Sequence, residues 1–433
     1  MVSCDKCSTS DEHHTCPALR LATDDRRTAD TLPMPWFGMD IGGTLVKVVY
    51  FDPTDENTDH EYDNATVRKI RHLLLSNTAY GKTGVRDVQL QLENQPINGR
   101  VGTIHFIRFP TTAMPAFINL ARLKGLARSS STVCATGGGA YLYGKACQEL
   151  SLKFNKLDEL HALVAGIQFI VQHNPEECYY IANPLGAEWK QVTLKEQLHP
   201  PYIVVNIGSG VSILAVDDKQ TFRRVSGTRQ VSALLLLPLT AVVGKLIPIH
   251  TLYLKREFSN SYEPFCLCSL GGGTFQGLCC LLAGTESFEE ALQSAARGDN
   301  LKVDKLVRDI YGGDYKAFNL SGTTVAASFG NMIHADKRAL VTSDDLTSSV
   351  LVTVTHNIAS LALLCARVEK MKKLIFVGNF LRINTIAMRH IAEALNYWSN
   401  GTCKALFMKH EGYFGAVGCL INMMTLEEAG KQP

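Results

Sequence analysis

Gly38-Met-Asp-Ile-Gly-Gly-Thr-Leu-Val-Lys47 decides the fold, because the chain writes the same phrase again at Val204-Val-Asn-Ile-Gly-Ser-Gly-Val-Ser-Ile213. Each is an apolar run, a polar residue (Asp40 or Asn206), an isoleucine, two or three very small residues, then apolar alternation. Period-two patterning on both sides of a small-residue turn predicts strand, tight turn, strand: a β-hairpin. Glycines in that turn let the backbone approach a bulky anion and offer it N–H groups. A polar residue at the strand end is placed to hold a metal-bound water. Two such hairpins predict a duplicated domain with a nucleotide held between its halves.

Outward from the first hairpin, the pattern predicts a helix over 67–77, strands over 88–92 and 103–109, and a helix over 114–127. A strand over 131–135 follows, with a turn at 136–140 into the next helix. A helical stripe over 155–172 carries Leu157, Leu160, Leu163, Val164, Ile167 and Ile170. Beyond the second hairpin, Ser287 and Glu290 form a capping box for a helix to 296. Leu346, Val350, Val354, Ile358, Leu361, Cys365 and Val368 step by three or four along one long buried helix. A strand at 374–377, a helix at 384–398, a strand at 405–408 and a last helix complete the chain. Strands alternating with helices give an α/β class, and the hairpin starts make the sheets mixed.

The chain has 433 residues, 46% hydrophobic and 19% charged, with a formal net charge of +2. That length suffices for two domains, expected at 35–200 and 201–425 between a polar tail at 1–34 and a short tail at 426–433. The charge balance gives no reason to expect nucleic acid or a membrane surface as partner. The cysteines sit mostly in apolar runs, which fits a reducing compartment. Cys4, Cys7, His13, His14 and Cys16 have the chemistry of a zinc knuckle, but no apolar set surrounds them, so a disordered tail is expected. The tail's six acidic against four basic residues argue against a mitochondrial presequence. No run of ~18 uninterrupted apolar residues predicts a transmembrane helix. With no address signal read, a cytoplasmic location is the default.

Four small-residue loops follow apolar strands, at 42–44, 137–139, 208–210 and 378–379, and Gly271-Gly-Gly-Thr274 precedes a helix. Together they predict a phosphate-cradling cleft. None matches the Walker A spacing. Phosphoryl transfer needs positioning, charge neutralisation and an acceptor for the alcohol proton. Asp40 suits Mg²⁺ through water, or else a turn cap. Lys47 is within reach of a phosphate, or else a solvated lysine. Asp158 and Glu159 lie among helical leucines, where carboxylates ordinarily mark the wet face. Arg224 reads equally as an exposed strand charge.

Trp36-Phe-Gly-Met-Asp-Ile-Gly-Gly-Thr-Leu-Val-Lys47 resembles the opening of the eukaryotic (type II) pantothenate kinases. So do Ile107-Arg-Phe-Pro-Thr111, Cys134-Ala-Thr-Gly-Gly-Gly-Ala-Tyr141, Lys156-Leu-Asp-Glu-Leu160 and Val205-Asn-Ile-Gly-Ser-Gly-Val-Ser-Ile-Leu-Ala215. Val307-Arg-Asp-Ile-Tyr-Gly-Gly-Asp-Tyr315, Ser328-Phe-Gly-Asn-Met332, Phe376-Val-Gly-Asn-Phe-Leu-Arg382 and Glu411-Gly-Tyr-Phe-Gly-Ala-Val-Gly418 continue it in order. The resemblance implies the two-lobed actin-like ATPase (ribonuclease H-like) fold shared with sugar kinases and chaperone ATPases. It implies MgATP-dependent phosphorylation of the pantothenate primary hydroxyl, a homodimer, and inhibition by acetyl-coenzyme A. It implies Glu159 as catalytic base, and Ser209, Ser212 and Arg224 as the acetyl-coenzyme A and substrate residues. Gly42, Gly43, Thr44 and Lys47, with Gly208 and Gly210, would meet ATP, as would Asn379 and Arg382.

The chain departs from that family at one place. Ser226-Gly-Thr228 should run straight into Ser269-Leu-Gly-Gly-Gly-Thr274, but residues 229–268 intervene, including Ala233-Leu-Leu-Leu-Leu237. A longer surface loop costs only ~0.6 kcal/mol per doubling of length. An exposed apolar run is worse, since it invites self-docking. An impaired enzyme, acting as an ATP- or acyl-coenzyme A-binding regulatory protein, is therefore the second reading.

Overall fold

The computed structural model describes residues 36–54, 84–97, 99–123, 132–148, 153–184, 186, 188–227, 269–318 and 320–429. The helix expected at 67–77, the zinc-knuckle residues and the segment 229–268 lie outside the described residues. The chain divides into two compact units. The first (unit A) holds the described residues of 36–179, together with Thr193–Leu198 and 408–429. The second (unit B) holds Tyr180–Val192 and His199–Phe407.

In unit A, β1 (Trp36–Ile41), β2 (Leu45–Pro53), β3 (Val85–Arg86), β4 (Leu92–Ile97), β5 (Arg100–Pro110), β6 (Thr132–Thr136) and β7 (Lys153–Lys156) form one sheet. Its order is β3-β5-β2-β1-β6-β7, with β4 paired to β5. Helices α1 (Met114–Leu123), α2 (Gly138–Gln148) and α3 (Glu159–His173) lie between or after these strands. The second sheet contains β8 (Cys178–Ala182), β9 (Lys190–Thr193), β10 (Tyr202–Ile207), β11 (Val211–Val216) and β12 (Phe222–Gly227). Helices α4 (Gly272–Ala283) and α5 (Phe288–Arg297) follow, then a small ribbon of β13 (Lys305–Leu306) and β14 (Val325–Ala327), flanked by the short helices α6 (Val307–Tyr311) and α7 (Ala335–Arg338). Then come α8 (Ser343–Val368), β15 (Lys373–Val377), α9 (Thr385–Trp398), β16 (Lys404–Met408) and α10 (Phe414–Ala429). The second sheet runs β12-β11-β10-β15-β16-β8-β9.

The duplication read from the two hairpins holds strand by strand. β1 pairs antiparallel with β2 and parallel with β6, and β6 pairs parallel with β7. β10 pairs antiparallel with β11 and parallel with β15, and β15 pairs parallel with β16. Each sheet is therefore mixed; the first opens on its hairpin, whereas β8 and β9 precede the hairpin of the second in the chain. The central strands are apolar on both faces because helices cover them: Ile203, Val204, Val205 and Ile207 are fully buried, as are Ile41, Val46 and Val48.

Most expected elements form, with three corrections. Residues 88–92 were expected as a strand from the alternation of Val88, Leu90 and Leu92. Instead Val88–Leu90 is a 3-10 turn with Val88 exposed, and β4 begins at Leu92. The stripe expected to be helical from 155 begins as strand: Asn155 and Lys156 pair with Cys134 and Ala135, and the helix opens only at Glu159. The capping box at Ser287 is half formed. Its hydroxyl accepts from the Glu290 amide, but the Glu290 carboxylate accepts from the Glu286 amide, not the Ser287 one. Helix α8 is long and apolar enough to cross a membrane by length and composition, at mean hydropathy 1.7 over its best window. Val350, Leu351, Val354, Ile358 and Ala362 are nevertheless buried within the protein core.

Candidate active site

Unit A gathers chemistry at the carboxyl ends of β1, β6 and β7. Asp40 is the penultimate residue of β1 and its cross-strand partner on β2 is Lys47. Directly opposed residues share a face of the sheet, and Lys47 Nζ donates to Asp40 Oδ2 at 3.0 Å, with side-chain exposures of 12% and 17%. Both expected residues are thus brought together, and Lys47 is paired, not a solvated surface lysine. The turn between them is closed by the Gly42 amide on the Leu45 carbonyl, 2.9 Å. It is also pinned by a residue given no role from sequence: Thr111 Oγ1 donates to the Gly42 carbonyl at 2.8 Å, and the Thr111 amide donates to the Thr44 carbonyl at 2.9 Å. Its only sequence signal is its place at the end of Ile107-Arg-Phe-Pro-Thr111.

The loop 137–139 closes onto the same point. Thr136 lies in parallel register with Asp40. Gly137 has φ +84°, and a Cβ there would stand 2.6 Å from the Ile41 carbonyl and 2.7 Å from Asp40 Oδ1. Only glycine fits. Thr136 Oγ1 then donates to the Leu157 carbonyl at 3.0 Å, fixing the connection from β7 into α3. Since β6 alone separates β1 from β7, this connection begins about 10 Å from Asp40.

That connection sorts the two neighbouring carboxylates. Asp158 is the helix N-cap: its Oδ1 accepts from the amides of Leu160 and His161 at 3.0 Å, and sits 3.0 Å from His161 Nδ1. The His161 contact, aided by those amides, lowers its pKa to about 2, although the side chain is 62% exposed. Asp158 therefore has a structural task. Glu159, first residue of the helix, is exposed at the same end of the sheet as Asp40.

Unit B repeats the arrangement without the charges. Asn206 occupies the position of Asp40, and its cross-strand partner is Ser212. Arg224 and Gly227 lie on β12, paired with Leu214 and Ser212, with a register shift between the two pairs. A Cβ at Gly227, where φ is +143°, would meet Arg224 Nη2 at 2.7 Å and Ser212 Cα at 3.0 Å. The structure thus brings Ser212 and Arg224 together, with Arg224 Nε 3.4 Å from the Ser226 carbonyl.

Two further small-residue loops pack on the second hairpin. The turn closes by the Gly208 amide on the Gly210 carbonyl at 2.9 Å. The amides of Gly272 and Gly273 donate to the carbonyls of Gly208 and Ser209 at 3.0 and 2.9 Å. The start of α4 was expected to turn its amides to phosphate; two of them instead hold the hairpin turn. Gly378 has φ +114°, with its Cβ position 2.3 Å from the Ile207 carbonyl, and the Phe380 amide donates to that carbonyl at 3.1 Å. Asn379 follows, its Oδ1 accepting from Arg382 Nε at 3.2 Å.

The sequence profile of the Fumble family matches residues 36–236 and 253–422. This chain belongs to the Fumble family. The stretch the Fumble profile leaves unmatched, 237–252, falls inside the 229–268 departure. Among curated proteins, the chain is similar to mouse 4'-phosphopantetheine phosphatase, 32% identical, covering 89% of this chain and 40% of that protein. Rice pantothenate kinase 2 is 30% identical over 92% of this chain and 40% of its own length. Pantothenate kinase 1 of Arabidopsis thaliana is 32% identical over 90% of this chain and 86% of its own. The chain thus spans about two fifths of the first two relatives and most of the third.

Proposed function

We propose that the chain is an ATP-dependent pantothenate kinase, transferring the γ-phosphate of ATP to the primary hydroxyl of pantothenate to give 4'-phosphopantothenate. Membership of the Fumble family and the near full-length match to a plant pantothenate kinase support this reading. The observation that carries it is the division between Asp158 and Glu159. With Asp158 held as a cap, Glu159 stands at the end of the unit A sheet that also carries Asp40, Lys47 and the glycine loops at 42–44 and 137–139.

A primary alcohol scarcely ionises near neutral pH, so a carboxylate must take its proton as the new bond to phosphorus forms. We assign that step to Glu159. Lys47 and the small residues Gly42, Gly43 and Thr44 meet the nucleotide phosphates, as do Gly208 and Gly210, with Asn379 and Arg382 beside the nucleotide. Arg224 offers a planar fork to a carboxylate or phosphate, beside Ser209 and Ser212. Among the described residues no group of three or more His, Cys, Asp or Glu could hold a metal by itself. A lone Asp40 suits Mg²⁺, which keeps several waters and takes its remaining ligands from substrate phosphates. When bound, the ion would neutralise charge developing on those phosphates. Inhibition by acetyl-coenzyme A at Ser209, Ser212 and Arg224, a homodimer and a cytoplasmic location complete the proposal.

The second reading, an impaired chain that binds ATP or acyl-coenzyme A, draws on the departure at 229–268. It begins two residues after Gly227, the residue packed against Arg224 and Ser212. A coupled ADP-release assay separates the two. Pantothenate-dependent ADP release, suppressed by acetyl-coenzyme A, is expected; nucleotide binding without pantothenate-dependent release would favour the second reading. Equal specific activity with and without 229–268 would clear that segment of any inhibitory effect.

A further inference from the structure

The last helix, α10, lies against β1 and against α3, and it does so backbone to backbone. A Cβ on Gly38 of β1 would stand 2.1 Å from the Ala416 carbonyl and 2.4 Å from the Leu420 amide. On its other side, a Cβ on Gly166 of α3 would stand 1.9 Å from the Phe414 carbonyl, and one on Gly418 would stand 1.9 Å from the Ala162 carbonyl. The nearest atoms at these points are backbone, joined at Gly38 by Cys419 Cβ at 2.9 Å, so the thickness of α10 itself sets the separation of β1 from α3. β1 carries Asp40 two residues beyond Gly38, and α3 carries Glu159 three residues before Ala162. Gly415, at the start of α10, touches the site directly: its Cβ position is 3.4 Å from Asp40 Cγ and 3.2 Å from Thr136 Cγ2.

The turn leading into α10 is held by two buried polar anchors. Tyr413 donates its hydroxyl to Asp87 Oδ2 at 2.5 Å, and that carboxylate also takes Arg108 Nε at 3.0 Å. Arg108 is the cross-strand partner of Lys47, so this anchor stands in one row with Lys47 and Asp40. His410 places Nδ1 2.6 Å from Glu177 and Nε2 2.7 Å from the Leu90 carbonyl. Glu177 lies just beyond the C-terminus of α3.

We propose that α10 is the gauge that fixes the spacing of Asp40 and Glu159, with Gly415, Gly418 and Gly166 as positioning residues and Tyr413–Asp87 as the anchor that holds the gauge in place. The proposal rests on reading those two acids as the metal holder and base of the kinase. At Gly38, Gly166 and Gly418 an added methyl meets backbone atoms and must move a backbone segment, whereas at Gly415 it presses only on the Thr136 and Asp40 side chains, at 3.2 and 3.4 Å, and shifts those.

The test is built on Gly415→Ala and Tyr413→Phe in the full chain, with Gly418→Ala as the severe case. Gly415→Ala replaces a helical glycine with the best helix former, so its melting temperature should equal or exceed that of the parent. Its kcat should nevertheless fall at least fivefold, and in a Glu159→Gln background the same change should leave the residual rate untouched. Tyr413→Phe adds no volume; it should lower kcat and speed amide exchange at 160–163 at least tenfold. A kcat per folded molecule unchanged in both variants, or a full additional loss in the Glu159→Gln background, overturns the gauge. A parent chain inactive on pantothenate would sink the kinase reading instead; the gauge would then be judged by exchange at 160–163, where no change on Tyr413→Phe would refute it.

Discussion

The two hairpins are the same piece of architecture used with different chemistry. In each, the penultimate residue of the first strand faces a partner across a tight turn, and a positive-φ glycine from the next parallel strand covers the following isoleucine carbonyl. Gly137 covers Ile41 and Gly378 covers Ile207. The first hairpin puts a carboxylate and an ammonium, Asp40 and Lys47, 3.0 Å apart. The second puts the neutral Asn206 opposite Ser212 and takes its charge from Arg224 on the neighbouring strand. Duplication thus preserved the turn geometry, which is a backbone property, while charge, which is a side-chain property, diverged. A metal-bridged phosphate suits the charged copy. An uncharged turn with an arginine beside it suits an acidic substrate or inhibitor.

The largest effect is expected at Glu159, on the unit A side of the comparison. Glu159→Gln should lower kcat by about 10³-fold and leave nucleotide affinity within a few-fold; turnover that survives in steady-state kinetics would remove the residue from the mechanism. Asp40→Asn makes the first hairpin as neutral as the second. It should cost about 10² in kcat/KM and abolish the response to added Mg²⁺, whereas Asn206→Ala should cost under tenfold. Similar losses at both positions would mean the copies are not specialised. The shared glycines come next. Gly137→Ala and Gly378→Ala should each destabilise by about 2 kcal/mol, read by thermal unfolding, because an L-residue there is strained and its methyl meets a carbonyl oxygen. The smallest effect concerns the cap beside the base. The folded-state acidity of Asp158 lies near 2 against an ordinary 3.8, so its contribution is present above about pH 4 and fades as pH falls towards 2. Asp158→Ala should cost about 1 kcal/mol near neutrality and flatten that acid dependence in helix-monitored unfolding.

Much of this was legible in the residues, and the reasons are local. The hairpins announce themselves because a turn flanked by period-two strands depends only on neighbours in sequence. The long stripe from Leu346 to Val368 is legible for the same reason, and it is helical throughout. What failed to read correctly lay where local pattern and tertiary demand conflict. Residues 88–90 alternate like a strand, yet they form a 3-10 turn that places Asp87 against Arg108 and Tyr413. Asn155 and Lys156 belong to the helical stripe by spacing, yet they extend as strand because β6 offers them a hydrogen-bonding edge. Asp158 and Glu159 look alike in sequence; the difference between them appears only when the cap forms.

By itself the sequence determined the duplicated mixed-sheet plan, the positions of the glycine turns and the set of polar residues available for chemistry, since each depends on backbone preference and periodicity over a few residues. The folded structure decided that Asp158 is the cap, that Lys47 pairs with Asp40 across the turn, and that the C-terminal helix packs on β1 and α3. The last of these turns on contacts between residues far apart in the chain. Gly38 and Gly418 show nothing in sequence of the carbonyls that meet them, and distance along a chain carries no record of closeness in space.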